Sequence, residues 1–438
     1  MDRPLSPLTY RRVWTLAWPM IVSSASTPIL GLVDTAVIGH LGAAVYLGAI
    51  ALGALIFNFI YWGLGFLRMG TTGLTAQAHG AGSELEVRLA LARAAGLGIA
   101  IGLVLVLVQG PLGHAAFSVI GGSMQVEALA RDYYAIRIWG APATLVTYAV
   151  VGWFIGLQRT RLALAVQIGL NGLNIALDLL FVIGFGWGVA GVALGTLIAE
   201  VTTAVGALLL ALGVGGTVPR AAWRRALEPA ALRRLLSVNG DIFIRTVCLV
   251  LAFAWFTAQG ARFGDVLLAA NFVLLQFFSF AAFFLDGFAY ATESLVGHAV
   301  GARLKTRLGQ AVSLSTQWAG GAAVGLTLVL ALAGPLFIDA LTSVPEVREA
   351  ARAFLPWAAL NPVIAVWCFQ LDGIFIGATR TADMRNMMIV SLAIYLAAWA
   401  VLTPLFGNHG LWAAFTLFFA VRGVTLGARY PALARAAV

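Results

Sequence analysis

The stretch GWFIGLQRTRLA at 152–163 recurs 221 positions later as GIFIGATRTADM at 373–384. In both copies an apolar run ends in a short basic turn and a new apolar segment follows, which is typical of two consecutive membrane helices. A second match pairs TAQAHGAG from Thr75 with LVGHAVGA from Leu295, a separation of 219 residues when His79 is aligned with His298. Two matches at nearly one separation predict that the chain contains a duplicated unit.

The composition excludes a water-soluble enzyme. Of the 438 residues, 61% are apolar and only 10% are charged, whereas soluble domains carry about 25% charged residues. The two cysteines, Cys248 and Cys368, lie in apolar runs and are too few for a disulfide framework or a thiolate metal site. We therefore expect a membrane protein without a cofactor or a resident metal, apart from a sodium ion that could occupy a cation site.

Twelve apolar runs are long enough to cross a bilayer, which takes about 20 residues per helix. We place the spans at 13–38, 45–76, 89–117, 132–157, 162–184, 188–212, 235–260, 267–298, 308–334, 347–378, 384–406 and 409–430. The longest polar stretch, 213–234, lies at the midpoint and is the predicted cytoplasmic linker. The predicted fold is all-α, with an N-terminal lobe at 1–212 and a pseudo-symmetric C-terminal lobe at 235–438, each of six helices.

The basic residues lie mainly on one side of this topology. Of the 27 Lys and Arg residues, 19 lie at the termini, in the even-numbered loops or at the span ends beside them, and Arg68, Arg245 and Arg422 are assigned to the interior of spans. The other side holds only Arg131, Arg137, Arg262, Arg348 and Arg352. The positive-inside rule then places both termini in the cytoplasm. Topology thus accounts for the net charge of +9, and we expect no nucleic-acid partner.

A polar stripe marks the fifth span. Its residues follow spacings of 4, 3 and 4, which puts them on one helix face: Gln167, Asn171, Asn174 and Asp178. Such a face at membrane depth must contact protein or a water-filled cavity. Similar faces occur in the first span, with Thr27 and Asp34, and in the sixth, with Thr196 and Glu200.

These faces predict a cation site near the outer surface. Asp34 and Asp178 lie about four and six residues from the outer ends of their spans, roughly 6–9 Å along a helix, and Thr196 is slightly deeper. Carboxylate, amide and hydroxyl oxygens suit a hard cation, and two neighbouring carboxylates suit a shared proton. Hydrogen bonding between helices is the alternative use of these residues.

The second copy lacks the stripe. At the offset of 221, the positions of Gln167, Asn171, Asn174 and Asp178 are taken by Met388, Leu392, Tyr395 and Trp399. A face used only for packing would be expected to leave some polar residues in both copies. Its presence in one copy favours an ion site in the first lobe.

Two further groups of residues bear on structure. Pro19 and Pro28 interrupt the first span, which we expect to bend, either as a switch or as a static kink. Arg68, Arg245, Asp286 and Asp372 lie inside spans, where we expect pairing, for instance of Arg245 with Asp286 or Asp372.

Four stretches resemble the multidrug and toxic compound extrusion (MATE) family, and most closely its DNA-damage-inducible protein F (DinF) branch. They are GLVDTAVIGHLG from Gly31, LRMGTTGLTAQAHGA from Leu67, LDGFAYATES from Leu285 and LDGIFIGATRTADMRN from Leu371. The resemblance implies two six-helix lobes around a central cleft, and the export of amphipathic, often cationic compounds in exchange for protons or sodium.

The resemblance also implies residue roles. In the DinF branch the cation site of the N-terminal lobe corresponds to Asp34, Asn174, Asp178 and Thr196, and the helix-bending proline to Pro19. Other bacterial members carry a glutamate in the middle of the seventh span, which this chain lacks. A second ion site in the C-terminal lobe is therefore not expected, and Asp372 is the remaining candidate for one.

We therefore expect a multidrug antiporter of the bacterial inner membrane, monomeric, coupled to protons or possibly to sodium, and not an enzyme. Its polar lining is expected to include Gln167, Asn171, Glu200, Thr27, Arg68, Asp286 and Asp372. One alternative is a flippase for lipid-linked saccharides, which would need several cleft arginines to hold a pyrophosphate. An intramembrane aspartyl protease is more remote, because neither Asp34 nor Asp178 occurs in a GxGD context.

Overall fold

The computed structural model describes residues 8–39 and 44–436, and of residues 27–39 and 44 it describes the backbone only. Every regular element in these ranges is helical. The α-helices are α1 (Tyr10–Gly39), α2 (Ala44–Leu64), α3 (Phe66–Gly80), α4 (Glu84–Leu107), α5 (Gln109–Ile120), α6 (Met124–Arg137), α7 (Ala141–Gly156), α8 (Thr160–Asp178), α9 (Gly188–Gly215), α10 (Trp223–Ala226), α11 (Pro229–Gly260), α12 (Asp265–Gly301), α13 (Lys305–Leu341), α14 (Pro345–Gly377), α15 (Thr381–Gly427) and α16 (Tyr430–Ala436).

The helices agree with a membrane protein of the predicted class. Within the described residues, 10 helical segments are long and apolar enough to cross a bilayer. The segment Thr381–Ala436 is broken by Gly407, whose φ of 57° is incompatible with a continuing helix. With α1 and with α15 counted as two helices, the architecture is consistent with twelve crossings. Among the predicted spans, the start of the fourth differs most from the structure, in which this helix begins at Met124 instead of 132.

Two compact units make up the fold. One contains 8–24 and 240–436, and the other contains 25–39 and 44–239. The start of α1 belongs to the first of these units, and residues 213–234 belong to the second. The reason is packing: the ring of Trp14 stacks on that of Trp318 at 5.3 Å, and Gly287 leaves room for Ile21.

The core of the unit containing 240–436 is aromatic. Phe415, which is fully buried, contacts the rings of Phe253, Phe256, Phe278 and Phe419 at centroid distances of 4.7–6.1 Å. Each such ring pair contributes about 0.5–1.5 kcal/mol beyond its buried area. Close packing of this kind holds helices together where the lipid supplies no hydrophobic driving force.

The predicted duplication is visible in the helix ends. Four pairs of ends share one separation of 221 residues: Gly80 and Gly301, Glu84 and Lys305, Gly156 and Gly377, and Thr160 and Thr381. The alignment of His79 with His298, at 219, is therefore wrong by two residues. His79 corresponds to Val300, because helix ends fix the register where the sequence match is weak.

The turns after these helices are also repeated. Each contains one residue with positive φ directly after the helix cap: Gly82 and Arg303 in one pair of turns, Gln158 and Thr379 in the other. This is the position where a helix usually ends in a left-handed residue, most often glycine. Only the first of the four turns has glycine there.

We expect the substitution Arg303→Gly to stabilise the protein by about 0.5–1 kcal/mol, because glycine adopts the left-handed conformation of this exposed position (φ 55°) without strain. The matched control is Gly82→Ala at the equivalent turn. No atom lies within 4 Å of the added Cβ, so only the backbone penalty of about 1–2 kcal/mol should appear. Thermal unfolding in detergent should shift upward for the first variant and downward for the second; shifts in the same direction would contradict the argument.

Candidate functional site

The polar face of α8 begins with a hydrogen-bonded pair. The Nε2 of Gln167 donates to Oδ1 of Asn171 at 3.1 Å, and Nδ2 of Asn171 donates to Oγ of Ser26 on α1 at 2.9 Å. Asn171 is only 7% exposed. This part of the face therefore joins α8 to α1.

The next turn of the face joins α8 to α9. The Nδ2 of Asn174 donates to Oγ1 of Thr196 at 3.1 Å, and that hydroxyl donates to the carbonyl of Val192 at 3.0 Å. Asn174 is buried, and among the described residues its Oδ1 has no hydrogen-bond partner. An amide oxygen in this state is an available ligand for a cation or a water molecule.

Asp178 ends the face. Its side chain is 1% exposed, and it is the last residue of α8 before a π-helical segment, Leu179–Gly184. Its carboxylate lies against the backbone of α9, because a Cβ added to Gly195 would be 2.5 Å from Oδ1. Both the π-helical turn and the glycine let the carboxylate approach the neighbouring helix closely, and π-helical turns are frequent at functional sites.

The structure thus brings together three of the four predicted cation-site residues, Asn174, Asp178 and Thr196. The fourth, Asp34, falls among the residues whose side chains lie outside the described part of the chain, as do Thr27 and Pro28; their backbone is helical. Pro19 is buried in the same helix. The three placed residues supply carboxylate, amide and hydroxyl oxygens at one point between α8 and α9, and such oxygens can hold a proton or a hard cation.

Sequence reasoning missed Gly195 and Ser26. Gly195 precedes Thr196, so a small residue beside a polar one in an apolar span was a usable signal. Ser26 is one residue from Thr27 and had no spacing of its own to mark it. Among the described residues, no three His, Cys, Asp or Glu side chains come together as a metal site.

Glu200, on the next turn of α9, has a partner that the sequence placed elsewhere. Its Oε1 lies 3.5 Å from Nη2 of Arg137. We counted Arg137 with the outer side, since it lies five residues after the predicted start of its span at 132. The helix α6 begins earlier, at Met124, and ends at Arg137, which places the arginine further into the helical bundle. Glu200 is 5% exposed.

Asp372 in α14 is held by two arginines. Its Oδ2 accepts from Nη2 of Arg422 at 2.8 Å and also from Nη2 of Arg245. The predicted pairing of Arg245 with Asp372 is confirmed. All three side chains are at most 10% exposed, so the carboxylate is already matched by two guanidinium groups. Asp286 in α12 and Arg68 in α3 are half-buried.

The equivalent face in the second copy is part of the apolar core. Met388 and Tyr395 are buried in the core, and the partly buried Leu392 and Trp399 pack against the same core. The hydroxyl of Tyr395 lies 3.5 Å from the carbonyl of Ala252. The two copies therefore use the same helix face for different purposes.

Comparison with known proteins supports a common origin with one group of transporters. The family model described as MatE matches residues 19–180 and 242–401. The chain is similar to DNA damage-inducible protein F of Escherichia coli (strain K12), with 41% identity over 424 residues, 95% of this chain and 91% of that protein. It is also similar to the probable multidrug resistance protein NorM of Deinococcus radiodurans, with 31% identity over 445 residues, 96% of this chain and 94% of that protein.

Solved structures agree at the level of fold. A transporter of the MOP superfamily from Pyrococcus furiosus superposes with a TM-score of 0.88 at 18% identity, covering 98% of this chain and 96% of that one. The Vibrio cholerae MATE transporter VcmN in its bent form gives 0.87 at 22% identity, covering 98% and 97%.

Proposed function

Because the chain belongs to the MatE (multidrug and toxic compound extrusion) family of membrane transporters, we propose that it is a proton-coupled antiporter that exports amphipathic, often cationic compounds. Protons entering the cell drive the compounds outward by alternating access. The protein lies in the inner membrane with both termini in the cytoplasm, as the distribution of basic residues favours. Asp34, Asn174, Asp178 and Thr196 form the coupling site.

The observation that carries this proposal is the burial of Asp178 against Gly195, beside the available oxygen of Asn174. A carboxylate at membrane depth costs about 2.5–3.5 kcal/mol on insertion scales. Gly195 leaves room for this carboxylate, where a larger side chain would overlap with it. A titratable or cation-binding role accounts for the cost.

Hydrogen bonding between helices explains a different part of the face. The bonds from Asn171 to Ser26 and from Asn174 to Thr196 are of this structural kind. Both bonds use amide donors, and neither involves the carboxylate of Asp178. We therefore assign Gln167 and Asn171 to packing, and Asn174 to both packing and the cation site.

The proposed coupling works through the first helix. A proton taken up at Asp178 and Asp34 changes the polar contacts available to α1, which contains Pro19 and Pro28. A proline removes one backbone hydrogen bond and lets a helix bend at low cost. Protonation then shifts the balance between a straight and a bent helix, and with it the access of the substrate.

The arginines of the helical bundle do not favour the alternative function, a flippase for lipid-linked saccharides. Arg245 and Arg422 are engaged by Asp372, and Arg137 is held by Glu200 and by Tyr133. A pyrophosphate group needs several arginines that can turn their planar donors toward it. Those three are already committed to partners.

The coupling ion is tested by measuring transport in proteoliposomes under a pH gradient and, separately, under a sodium gradient. The purified protein is reconstituted, and export of ethidium, an amphipathic cation, is followed by fluorescence. We expect a pH gradient to drive transport in sodium-free buffer and a sodium gradient at constant pH to drive none. Transport driven by sodium alone would overturn proton coupling while leaving drug export intact.

A further inference from the structure

A second buried carboxylate lies one helical turn beyond the candidate cation site. Glu200 follows Thr196 by four residues on α9, which is about 6 Å along the same face. Its Oε1 is 3.5 Å from Nη2 of Arg137, longer than the 2.7–2.9 Å usual for a charge-assisted hydrogen bond. Its Oε2 is buried and has no hydrogen-bond partner within the described ranges.

Arg137 forms its shortest hydrogen bond with Tyr133 and not with Glu200. Its Nη1 donates to the hydroxyl of Tyr133 at 2.8 Å, and its Cζ lies 4.8 Å from the ring centre of Phe57. Its Nε is buried, again without a hydrogen-bond partner in the described part of the protein. The guanidinium group therefore stands between a tyrosine that it binds and a carboxylate that it neutralises only loosely.

Residues of other helices also surround the carboxylate of Glu200. Tyr61 on α2 is 7% exposed, and its buried hydroxyl has no hydrogen-bond partner among the residues described. Thr144 on α7 donates its hydroxyl to the carbonyl of Gly140 at 3.2 Å, and the same side chain lies beside both Tyr61 and Glu200. Gly140 itself lies against Oε2 of Glu200, where any larger residue would overlap with the carboxylate.

Three buried polar atoms from three helices are thus left to be satisfied: Oε2 of Glu200, Nε of Arg137 and the hydroxyl of Tyr61. Buried polar groups are almost always hydrogen-bonded, and where protein atoms do not serve, ordered water does. Water bridging these atoms would connect the carboxylate to the guanidinium group of Arg137, whose Nη2 lies 3.5 Å away. That combination can take up and release a proton.

We propose that Glu200 is a second proton-carrying residue of this transporter. Water beside Tyr61 delivers a proton to Oε2 when Arg137 turns to Tyr133, and the proton returns to water when Arg137 closes on the carboxylate. The proposal rests on the proton coupling proposed above. The titratable and charged groups around Glu200 are Tyr61 on α2, Tyr133 and Arg137 on α6 and Tyr148 on α7, with Arg68 on α3 beyond Tyr148.

Proton release on drug binding tests the proposal independently of transport. The purified protein in weakly buffered detergent solution is titrated with ethidium, and released protons are counted with a pH dye. We expect Glu200→Gln to release about one proton fewer per bound ethidium than the wild type. The control Glu86→Gln makes the same change at the cytoplasmic start of α4, where Glu86 pairs with Arg93 and Arg225, and should leave the count unchanged.

A second variant guards against a folding defect. Tyr133→Phe keeps the ring but removes the hydroxyl that competes for Arg137, so the guanidinium should stay on Glu200 and keep it ionised. The same loss of about one proton is expected. Wild-type proton counts in both Glu200→Gln and Tyr133→Phe would overturn the role of Glu200, and a wild type that releases no proton would overturn proton coupling as well.

Discussion

The substitution Asp178→Asn is expected to reduce pH-driven ethidium efflux to the level of empty liposomes. Asparagine has nearly the same shape, so the contact with Gly195 and the end of α8 should be preserved. It cannot release a proton at physiological pH and carries no negative charge for a cation. The substitution therefore removes coupling while keeping the helix interface.

Two companion variants make this result specific. Gly195→Ala keeps the carboxylate but places a Cβ 2.5 Å from its Oδ1, so the group must move and efflux should fall. Asp383→Asn makes the same chemical change where Asp383 pairs with Arg380 at 2.6 Å near the start of α15, and efflux should stay near the wild-type rate.

Asp34→Asn is expected to match Asp178→Asn, because both carboxylates belong to the proposed coupling site. Efflux is measured in proteoliposomes, with the amount of reconstituted protein matched between variants. Efflux at the wild-type rate by Asp178→Asn would refute the coupling site, whatever the behaviour of the companions.

The second large effect concerns stability. Asp372→Asn removes the negative charge that neutralises Arg245 and Arg422, both less than 10% exposed. Breaking a buried ion pair by removing one partner costs about 3–5 kcal/mol, because the remaining charge is left without compensation. We expect little folded protein, measured as a loss of the monodisperse peak and a lower unfolding temperature in detergent.

Removing all three charges separates structure from ion binding. The triple variant Arg245→Met, Asp372→Leu, Arg422→Met leaves no buried charge unpaired and should recover stability. If Asp372 served as a second ion site, this variant would fold but lose pH-driven efflux. We expect it to keep efflux, since the carboxylate is committed to the two arginines.

Much of the site could be anticipated from one helix. Spacings of 4, 3 and 4 are a property of the α-helix, and they put Asn174 and Asp178 on one face before any neighbour is known. The match of 152–163 with 373–384 gave the offset of 221 that the helix ends later showed. At that offset Asp178 corresponds to Trp399, and this difference favoured an ion site in the first copy.

Partners could not be anticipated in the same way. The contact of Arg137 with Glu200 was not expected, because α6 starts earlier than the hydropathy of the sequence indicates. Residues 124–131 are largely polar, so hydropathy does not identify them as part of a membrane helix. Gly195 matters only because Asp178 lies opposite it. The start of α1 packs with the C-terminal unit through Trp14 and Trp318, which are 304 positions apart.

The amino-acid sequence by itself determined the membrane environment, the helical class, the duplication and the polar face of α8. These follow from composition, segment length and the 3.6-residue period, which are local properties of the chain. Only the tertiary structure decided which groups meet: Asn174 with Thr196, Asp178 with Gly195, and Asp372 with Arg422 as well as with Arg245. The physical reason is that helix packing brings together residues far apart in sequence, and no local period encodes which of them will touch.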